Sequence, residues 1–159
     1  ENVALTKSGD RIGFDLFLGV PVHRAPPVVV SAELASAGGW VAVDQHTMET
    51  RFSGVYALGD VTHVPVGQGA VPKAGAFADR AARAVATDII HRLRGEGPRG
   101  HFDGAGTCYL EFGEGRVAMI DANFLGGAAP VVRFEGPSPD LLPKKLAFAH
   151  DRVTRWFGR

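Results

Sequence analysis

Cysteine is almost absent from this sequence, and so is any excess of charge of one sign. Cys108 is the single cysteine among 159 residues, which excludes an internal disulfide framework and a zinc site built on several thiolates. Seventeen basic side chains balance seventeen acidic ones, so no net charge attracts the chain to nucleic acid. We therefore expect neither a disulfide-rich domain nor a nucleic-acid-binding protein.

Long hydrophobic runs are also missing. No stretch approaches the roughly 20 apolar residues that cross a bilayer, and residues 1–5 are neither a Met start nor a signal peptide. We expect a segment of a longer polypeptide. With 45% hydrophobic and 21% charged residues, the chain has enough apolar side chains to fold as one domain or two small ones.

Apolar runs and turn signals divide the first 60 residues into short elements. Residues 14–20 are typical of a buried strand that leads into an extended loop at Pro21. Ser31 is a plausible N-cap for a short helical turn over residues 32–35, which Gly38-Gly39 ends. Residues 40–43 and 55–58 predict two more strands, and the polar stretch 44–53 between them predicts an exposed connection.

The strongest helical pattern runs from Pro72 to Arg94. Its apolar residues recur every four positions while charged residues occupy other faces; they are Phe77, Ala81, Val85, Ile89 and Leu93. Pro72 suits a first helical turn and Gly95 a helix stop. The glycine-rich connector over residues 95–106 then predicts a boundary inside the chain.

Beyond residue 106 the pattern predicts a small antiparallel sheet and a final helix. The strand-like stretches are residues 106–112, 116–121 and 131–134, separated by glycine turns. The helix over about residues 143–157 carries an apolar stripe beside a basic face; the stripe is Leu146, Ala149, Val153 and Trp156. We expect the stripe to pack on the chain's own sheet or on a dimer mate, and the alternative is a helix resting on anionic lipid.

Gly59-Asp60 follows a predicted strand and precedes the long helix. In that position a glycine lets the backbone approach a ligand closely, and an aspartate accepts hydrogen bonds from ligand hydroxyls while its amide faces an anion. Ribityl hydroxyls suit the carboxylate, and a pyrophosphate suits the amide. The alternative is an ordinary turn with an Asx-type hydrogen bond.

The surroundings of this pair resemble a known flavin-binding motif. Thr50, then residues 54–57 and Gly59-Asp60, match the second FAD-binding motif of FAD-dependent pyridine nucleotide-disulfide oxidoreductases. Val71-Pro72-Lys73-Ala74-Gly75 is similar to the Val-Pro-Lys-Thr-Gly segment of sulfide:quinone reductases and flavocytochrome c sulfide dehydrogenases. The likeness includes residues 14–21, 39–44 and Cys108-Tyr109, and covers most of residues 10–121.

This resemblance implies a fold and a domain division. The fold is α/β, the closing part of an FAD-binding Rossmann-like domain followed by a small α+β C-terminal domain. Residues 1–95 correspond to the end of the NAD-like domain and the C-terminal part of the FAD-binding domain. Residues 106–159 correspond to the small domain, which lies on the dimer, membrane or acceptor side.

The resemblance also implies the site residues. The FAD-binding residues are Gly59, Asp60, Pro72, Lys73, Ala74 and Gly75, with the first two at the ribityl and pyrophosphate groups and the helix start at the flavin ring. Cys108 is the catalytic candidate for sulfur chemistry, and a nearby Lys73 would lower its pKa. The alternative is that Cys108 is a small buried side chain. No metal site is predicted, because His46, His63 and His101 lack zinc-site spacing.

The activity implied for the intact parent is electron transfer from sulfide or a related donor, through FAD, to a quinone or cytochrome. Two alternatives remain: a type II NADH dehydrogenase-like flavoenzyme that uses NAD(H), which residues 71–75 disfavour, and a non-catalytic dimerisation or docking module. The expected location is cytoplasmic or peripheral on the membrane, or periplasmic for the flavocytochrome c type.

Part of the predicted cofactor site lies outside the chain. Residues 95–100 match Gly-x-Gly-x-x-Gly but follow a helix, so they are interpreted as a linker. An N-terminal part of the parent must supply the other half of the FAD site, and we expect the chain alone to bind FAD poorly and to be inactive. A homodimer is expected for the parent.

Overall fold

The structure, a computed structural model, describes residues 2–158. In that range the strands are β1 Val3–Leu5, β2 Arg11–Gly13, β3 Val41–Ala42, β4 Thr62–His63, β5 Pro65–Val66, β6 Gly69–Ala70, β7 Ala105–Glu111, β8 Val117–Asn123 and β9 Val131–Ser138. The helices are α1 Pro27–Ser31, α2 Gly75–Arg94 and α3 Leu142–Phe157. Short 3-10 turns lie at Gly59–Val61 and Pro139–Leu141.

Helix α2 forms the centre of the chain, as its periodicity predicts. Phe77, Ala81 and Val85 are buried, and the helix stops at Gly95, whose φ of 73° only glycine adopts easily. It begins at Gly75 and not at Pro72, because Ala74 is still extended with a φ of −146°. Leu93, the last member of the predicted stripe, is 82% exposed, so only the first three turns belong to the core.

The predicted antiparallel sheet is confirmed, with the order β7-β8-β9. Cys108 lies opposite Ile120 in the first pair, and Asp121 lies opposite Arg133 in the second. The turn between β7 and β8 falls at residues 113–115, where Arg116 donates its amide to the Gly113 carbonyl. Three smaller two-stranded pairs precede this sheet, and in one of them β3 runs parallel to β4.

The buried core joins α2 to the sheet and to the segment before α2. Its buried members are Met48, Val64, Phe77, Ala81, Ala84, Val85, Phe102 and Ala122. Gly100 lies so close to α2 that an added Cβ would stand 1.8 Å from the Ala84 carbonyl oxygen. The connector after α2 therefore packs against the helix.

The predicted strand at residues 14–20 is wrong. β2 ends at Gly13, and the run that follows belongs to no strand, with Leu16 74% and Leu18 86% exposed. A strand needs a neighbour for its backbone donors and acceptors. Phe14 donates its amide to the Asn2 carbonyl, but residues 15–20 make no backbone hydrogen bond with the described residues. The prediction for residues 31–35 is also wrong: Ser31 ends α1, which starts at Pro27, where a missing N–H costs nothing.

The predicted exposed connection at residues 44–53 contains one of the most buried side chains. Met48 is only 1% exposed, because the Asp44 carboxylate accepts the amides of His46 and Thr47 at 3.0 and 2.7 Å and folds the segment inward. Residues 55–58 form no strand, although Tyr56 makes one bridge to Glu49. The strand predicted at residues 40–43 is shorter, β3.

Helix α3 presents to the protein a face that its sequence pattern does not predict. Phe148 packs edge-on against Tyr109 of β7, with ring centroids 5.3 Å apart, and Arg152 stacks 3.3 Å from the Phe148 ring centroid. The apolar stripe points away: Leu146 and Trp156 are each 57% exposed. The prediction that the stripe packs on the chain's own sheet is therefore wrong, and its packing against a dimer mate stays a prediction.

Candidate functional site

The Gly59–Asp60 pair lies in a tight turn at the end of an extended segment. Leu58 is extended, Gly59 has a φ of 73°, and a 3-10 turn follows over Gly59–Val61. Thr62 closes the turn by donating both its amide and, at 2.7 Å, its hydroxyl to the Gly59 carbonyl. The positive φ explains why glycine occupies this position, since a side chain there is strained.

The turn lies against the first turns of α2. A Cβ added to Gly59 would stand 3.5 Å from the Ala78 side chain. At the start of α2 no side chain among residues 2–158 accepts the free amides, because the capping position is occupied by Ala74. A helix start of this kind carries partial positive charge and unpaired donors.

The turn and the helix start border a small crevice whose lining is mostly apolar. Its volume is about 20 Å³, and its lining includes Gly59, Thr62, Pro72, Lys73 and Ala74. Asp60 is exposed beside it, and no hydrogen bond from the described residues reaches its carboxylate. An acidic acceptor next to unpaired amides suits a ligand that carries both hydroxyl and anionic groups. These residues therefore fit the ribityl and phosphate part of FAD.

The Lys73 side chain reaches back to this turn. Its Nζ donates to the carbonyl oxygens of Asp60 at 2.6 Å and Thr62 at 2.7 Å. The same ammonium lies 3.7 Å from the ring centroid of Trp40, a cation–π contact. Burial lowers the pKa of Lys73, and the negative charge of Asp60 opposes that change.

Cys108 lies on β7 on the side of the sheet that faces α2. It shares a face with Gly106 because the two are separated by one residue, and a Cβ added to Gly106 would stand 2.5 Å from the Phe77 ring of α2. Burial raises the pKa of the Cys108 thiol. The expected lowering by Lys73 is therefore wrong in this chain, because burial is what shifts the pKa of the thiol.

A buried ionic cluster anchors the segment before the turn to α2, and the sequence pattern did not reveal it. Asp88 is 0% exposed and accepts hydrogen bonds from Tyr56 at 2.8 Å, Arg92 at 2.9 Å and Arg99 at 2.6 Å. Arg92 also binds Glu49 through both terminal nitrogens. Because Tyr56 precedes Gly59 by three residues, this cluster fixes the approach to the turn.

The histidines do not form a metal site. His46 and His101 stack with ring centroids 4.4 Å apart, and His46 Nδ1 donates to the Phe102 carbonyl at 3.0 Å, a pairing that sequence spacing did not predict. His63 lies exposed in β4. Across residues 2–158 no three His, Cys, Asp or Glu side chains are grouped as metal ligands.

A groove of about 840 Å³ lies between α2, β7 and α3. Its charged side chains neutralise one another: Arg80 pairs with Asp103 at 2.8 Å, and Arg155 reaches Asp79 at 3.2 Å and Asp151 at 2.9 Å. The groove therefore has charged walls without a strong excess of either sign. None of the helices described is long and apolar enough to span a bilayer.

Known proteins similar to this chain include the mitochondrial sulfide:quinone oxidoreductases. The chain is 31% identical to that of Schizosaccharomyces pombe over 91% of its length and 27% identical to that of Mus musculus over 76%. The chain is the sulfide:quinone oxidoreductase-like C-terminal part of a flavoprotein. It spans 34% and 26% of the lengths of these two relatives. No family model matches it.

Solved structures support the same fold for the sulfide:quinone oxidoreductase-like chain. The sulfide:quinone oxidoreductase of Aquifex aeolicus superposes with a TM-score of 0.70 at 20% identity, covering 92% of this chain and 36% of that one. A chain in the mitochondrial ATP synthase structure of Tetrahymena thermophila superposes with a TM-score of 0.61 at 22% identity, covering 79% and 30%. At these identities the likeness concerns the fold alone. It confirms the predicted fold class.

Proposed function

We propose that the chain belongs to an FAD-dependent oxidoreductase that passes electrons from sulfide or a related donor, through FAD, to a quinone or cytochrome. The observation that carries the proposal is the Gly59–Asp60 turn, which lies against the uncapped start of α2. The names of the two relatives support sulfide as donor and quinone as acceptor. The chain contributes one part of the enzyme, since it spans about a third of the first relative.

The proposed cofactor contacts follow from donors and acceptors at the crevice. The Gly59 backbone permits close approach, the Asp60 carboxylate accepts from ribityl hydroxyls, and the amides that begin α2 face anionic oxygens. Pro72, Lys73 and Ala74 line the crevice at the helix start, and Gly75 begins α2 beside them. The flavin, when bound, supplies the redox chemistry. The protein's part is to orient it and to shield it from water.

Cys108 is the proposed sulfur-handling residue. Its place on the sheet face toward Phe77 supports this role, because Phe77 also lines the crevice beside Lys73. Since burial raises its pKa, the group is a thiol at neutral pH in this chain. Reaction with sulfur species therefore requires a base or cation from the part of the parent that lies outside these residues.

The domain division is proposed as the sequence predicts it. Residues 1–95 complete the NAD-like and FAD-binding domains, and residues 106–159 form the small domain. The exposed apolar residues between Leu16 and Val22 supply a surface for the N-terminal part of the parent. The exposed stripe of α3 supports contact with a membrane that carries a quinone, and hence a peripheral location.

The alternatives have less support. The relatives' names do not support NAD(H) as a donor, and a docking module without redox chemistry leaves the Gly59–Asp60 turn without a purpose. The test is a visible spectrum of the protein expressed from its complete reading frame, titrated first with sulfide and then with NADH. We expect sulfide to bleach the flavin band. Absence of flavin contradicts the proposal, and bleaching by NADH alone favours the alternative donor.

A further inference from the structure

The Lys73 ammonium joins three segments of the chain: the segment before α2 that carries it, the Gly59–Asp60 turn and the segment at Trp40. Two of its three N–H groups are donated to the carbonyl oxygens of Asp60 and Thr62, which stand on either side of Val61 in the turn. The partners precede Lys73 by 13 and 11 residues. The side chain therefore links the start of α2 to the turn across the intervening loop and hairpin.

Trp40 completes this arrangement from the other side. Its ring lies 3.7 Å from Lys73 Nζ, and the next residue, Val41, begins β3, which pairs in parallel with β4 through Val41 and Thr62. Trp40 is therefore held beside the strand that leaves the turn. An indole face attracts a cation most strongly when water is displaced from the contact.

We propose that Trp40 and Lys73 are positioning residues, which hold the Gly59–Asp60 turn in its ligand-binding conformation. Lys73 acts through the backbone of the turn and is not presented to the cofactor as a cation. This inference rests on the proposed function for what the turn binds. Thr62 supports it, since its hydroxyl closes the same turn from inside through the Gly59 carbonyl.

The two roles for Lys73 predict different measurements. A cation that faces the flavin raises its reduction potential, so Lys73→Met lowers that potential and leaves the turn unchanged. A positioning residue leaves the potential of bound FAD unchanged and loosens both the turn and FAD binding. Trp40→Leu retains the lysine. It leaves the flavin potential unchanged and loosens both the turn and FAD binding only if Lys73 is a positioning residue.

The experiment measures amide hydrogen exchange over residues 59–64, FAD affinity and flavin reduction potential in the protein from its complete reading frame. For Lys73→Met we expect exchange over residues 59–64 to rise about tenfold and FAD to bind about tenfold more weakly, because charge-assisted hydrogen bonds are lost. Trp40→Leu also raises exchange over residues 59–64 and weakens FAD binding. Lys144→Met, which removes a surface lysine paired with Glu135 at 3.7 Å, leaves both unchanged.

Three results overturn the inference: unchanged exchange over residues 59–64 in Lys73→Met, a lowered flavin potential in that variant, or increased exchange throughout β7–β9, which indicates general destabilisation. If exchange rises locally but the unsubstituted protein holds no flavin, the positioning role is supported and the proposed function is contradicted. The two failures are therefore distinguishable.

Discussion

The Tyr56 hydroxyl donates a 2.8 Å hydrogen bond to the buried carboxylate of Asp88. The bond joins the segment that leads into the Gly59–Asp60 turn to the middle of α2, 32 residues further along the chain. Arg92 and Arg99 supply the charge that allows a carboxylate to remain ionised in this position.

Tyr56→Phe tests how much that bond stabilises the fold. The change removes one donor from a buried carboxylate, so we expect the free energy of unfolding to fall by about 1–3 kcal/mol. Urea denaturation measures the difference. Tyr109→Phe is the matched control, because no described residue hydrogen-bonds the Tyr109 hydroxyl, and it should change stability by less than about 0.5 kcal/mol. Equal effects of the two substitutions contradict the account.

Asp88 predicts how stability depends on pH. Burial by itself raises the pKa of Asp88, but the hydrogen bonds from Tyr56, Arg99 and Arg92 outweigh burial, so the pKa is lowered. A lowered folded-state pKa gives stability that is complete above the unfolded value of about 3.9 and is lost as pH falls below it. The stability difference between the unsubstituted chain and Asp88→Asn should therefore shrink below about pH 4. A difference that is constant from pH 7 to pH 3 contradicts this assignment.

Gly100→Ala tests the packing of the connector on α2. Its Cβ would stand 1.8 Å from the Ala84 carbonyl oxygen and 2.8 Å from the Asp88 nitrogen, both of them backbone atoms of α2. We expect a loss of about 1–3 kcal/mol or more, measured by thermal unfolding. Gly127→Ala serves as the control, since no atom lies within 4 Å of its added Cβ. If the two variants melt alike, the connector does not pack as described.

The exposed stripe of α3 predicts lipid contact. Substitution of Leu146 and Trp156 by serine should reduce co-sedimentation with phosphatidylcholine vesicles and leave the melting temperature nearly unchanged, because both side chains are 57% exposed. Lys144→Ser on the same helix is the control. If the double variant binds vesicles normally but sediments as a smaller species, the stripe covers a second copy and not a membrane.

Periodic patterns in the sequence were enough to predict α2, the three-stranded sheet and α3. Their hydrophobic spacing and glycine stops act locally, as at Gly95 and at Gly113 to Gly115. The strand at residues 14–20 was predicted wrongly because an apolar run forms a strand only beside a partner. The run is unpaired among the residues described.

The contacts at the site that the sequence did not reveal have a common cause. Asp88 was assigned to a face of α2 away from the apolar stripe by its polarity, yet Tyr56 and Arg99 reach its carboxylate from outside the helix and hydrogen-bond it. The place of Lys73 at the flavin stays a prediction, and its bonds to the two carbonyls of the turn could not be inferred from its place at the helix start. Spacing along a sequence does not determine such long-range pairings.

The flavin content of the Asp60→Ala variant tests the central claim most directly. The protein from the complete reading frame is purified with and without the substitution, and the ratio of flavin absorbance to protein absorbance is compared with that of Glu96→Ala, which changes an exposed carboxylate in the connector. We predict that Asp60→Ala loses most of its flavin while Glu96→Ala retains it. Full flavin content in Asp60→Ala would contradict the assignment of the Gly59–Asp60 turn to the cofactor.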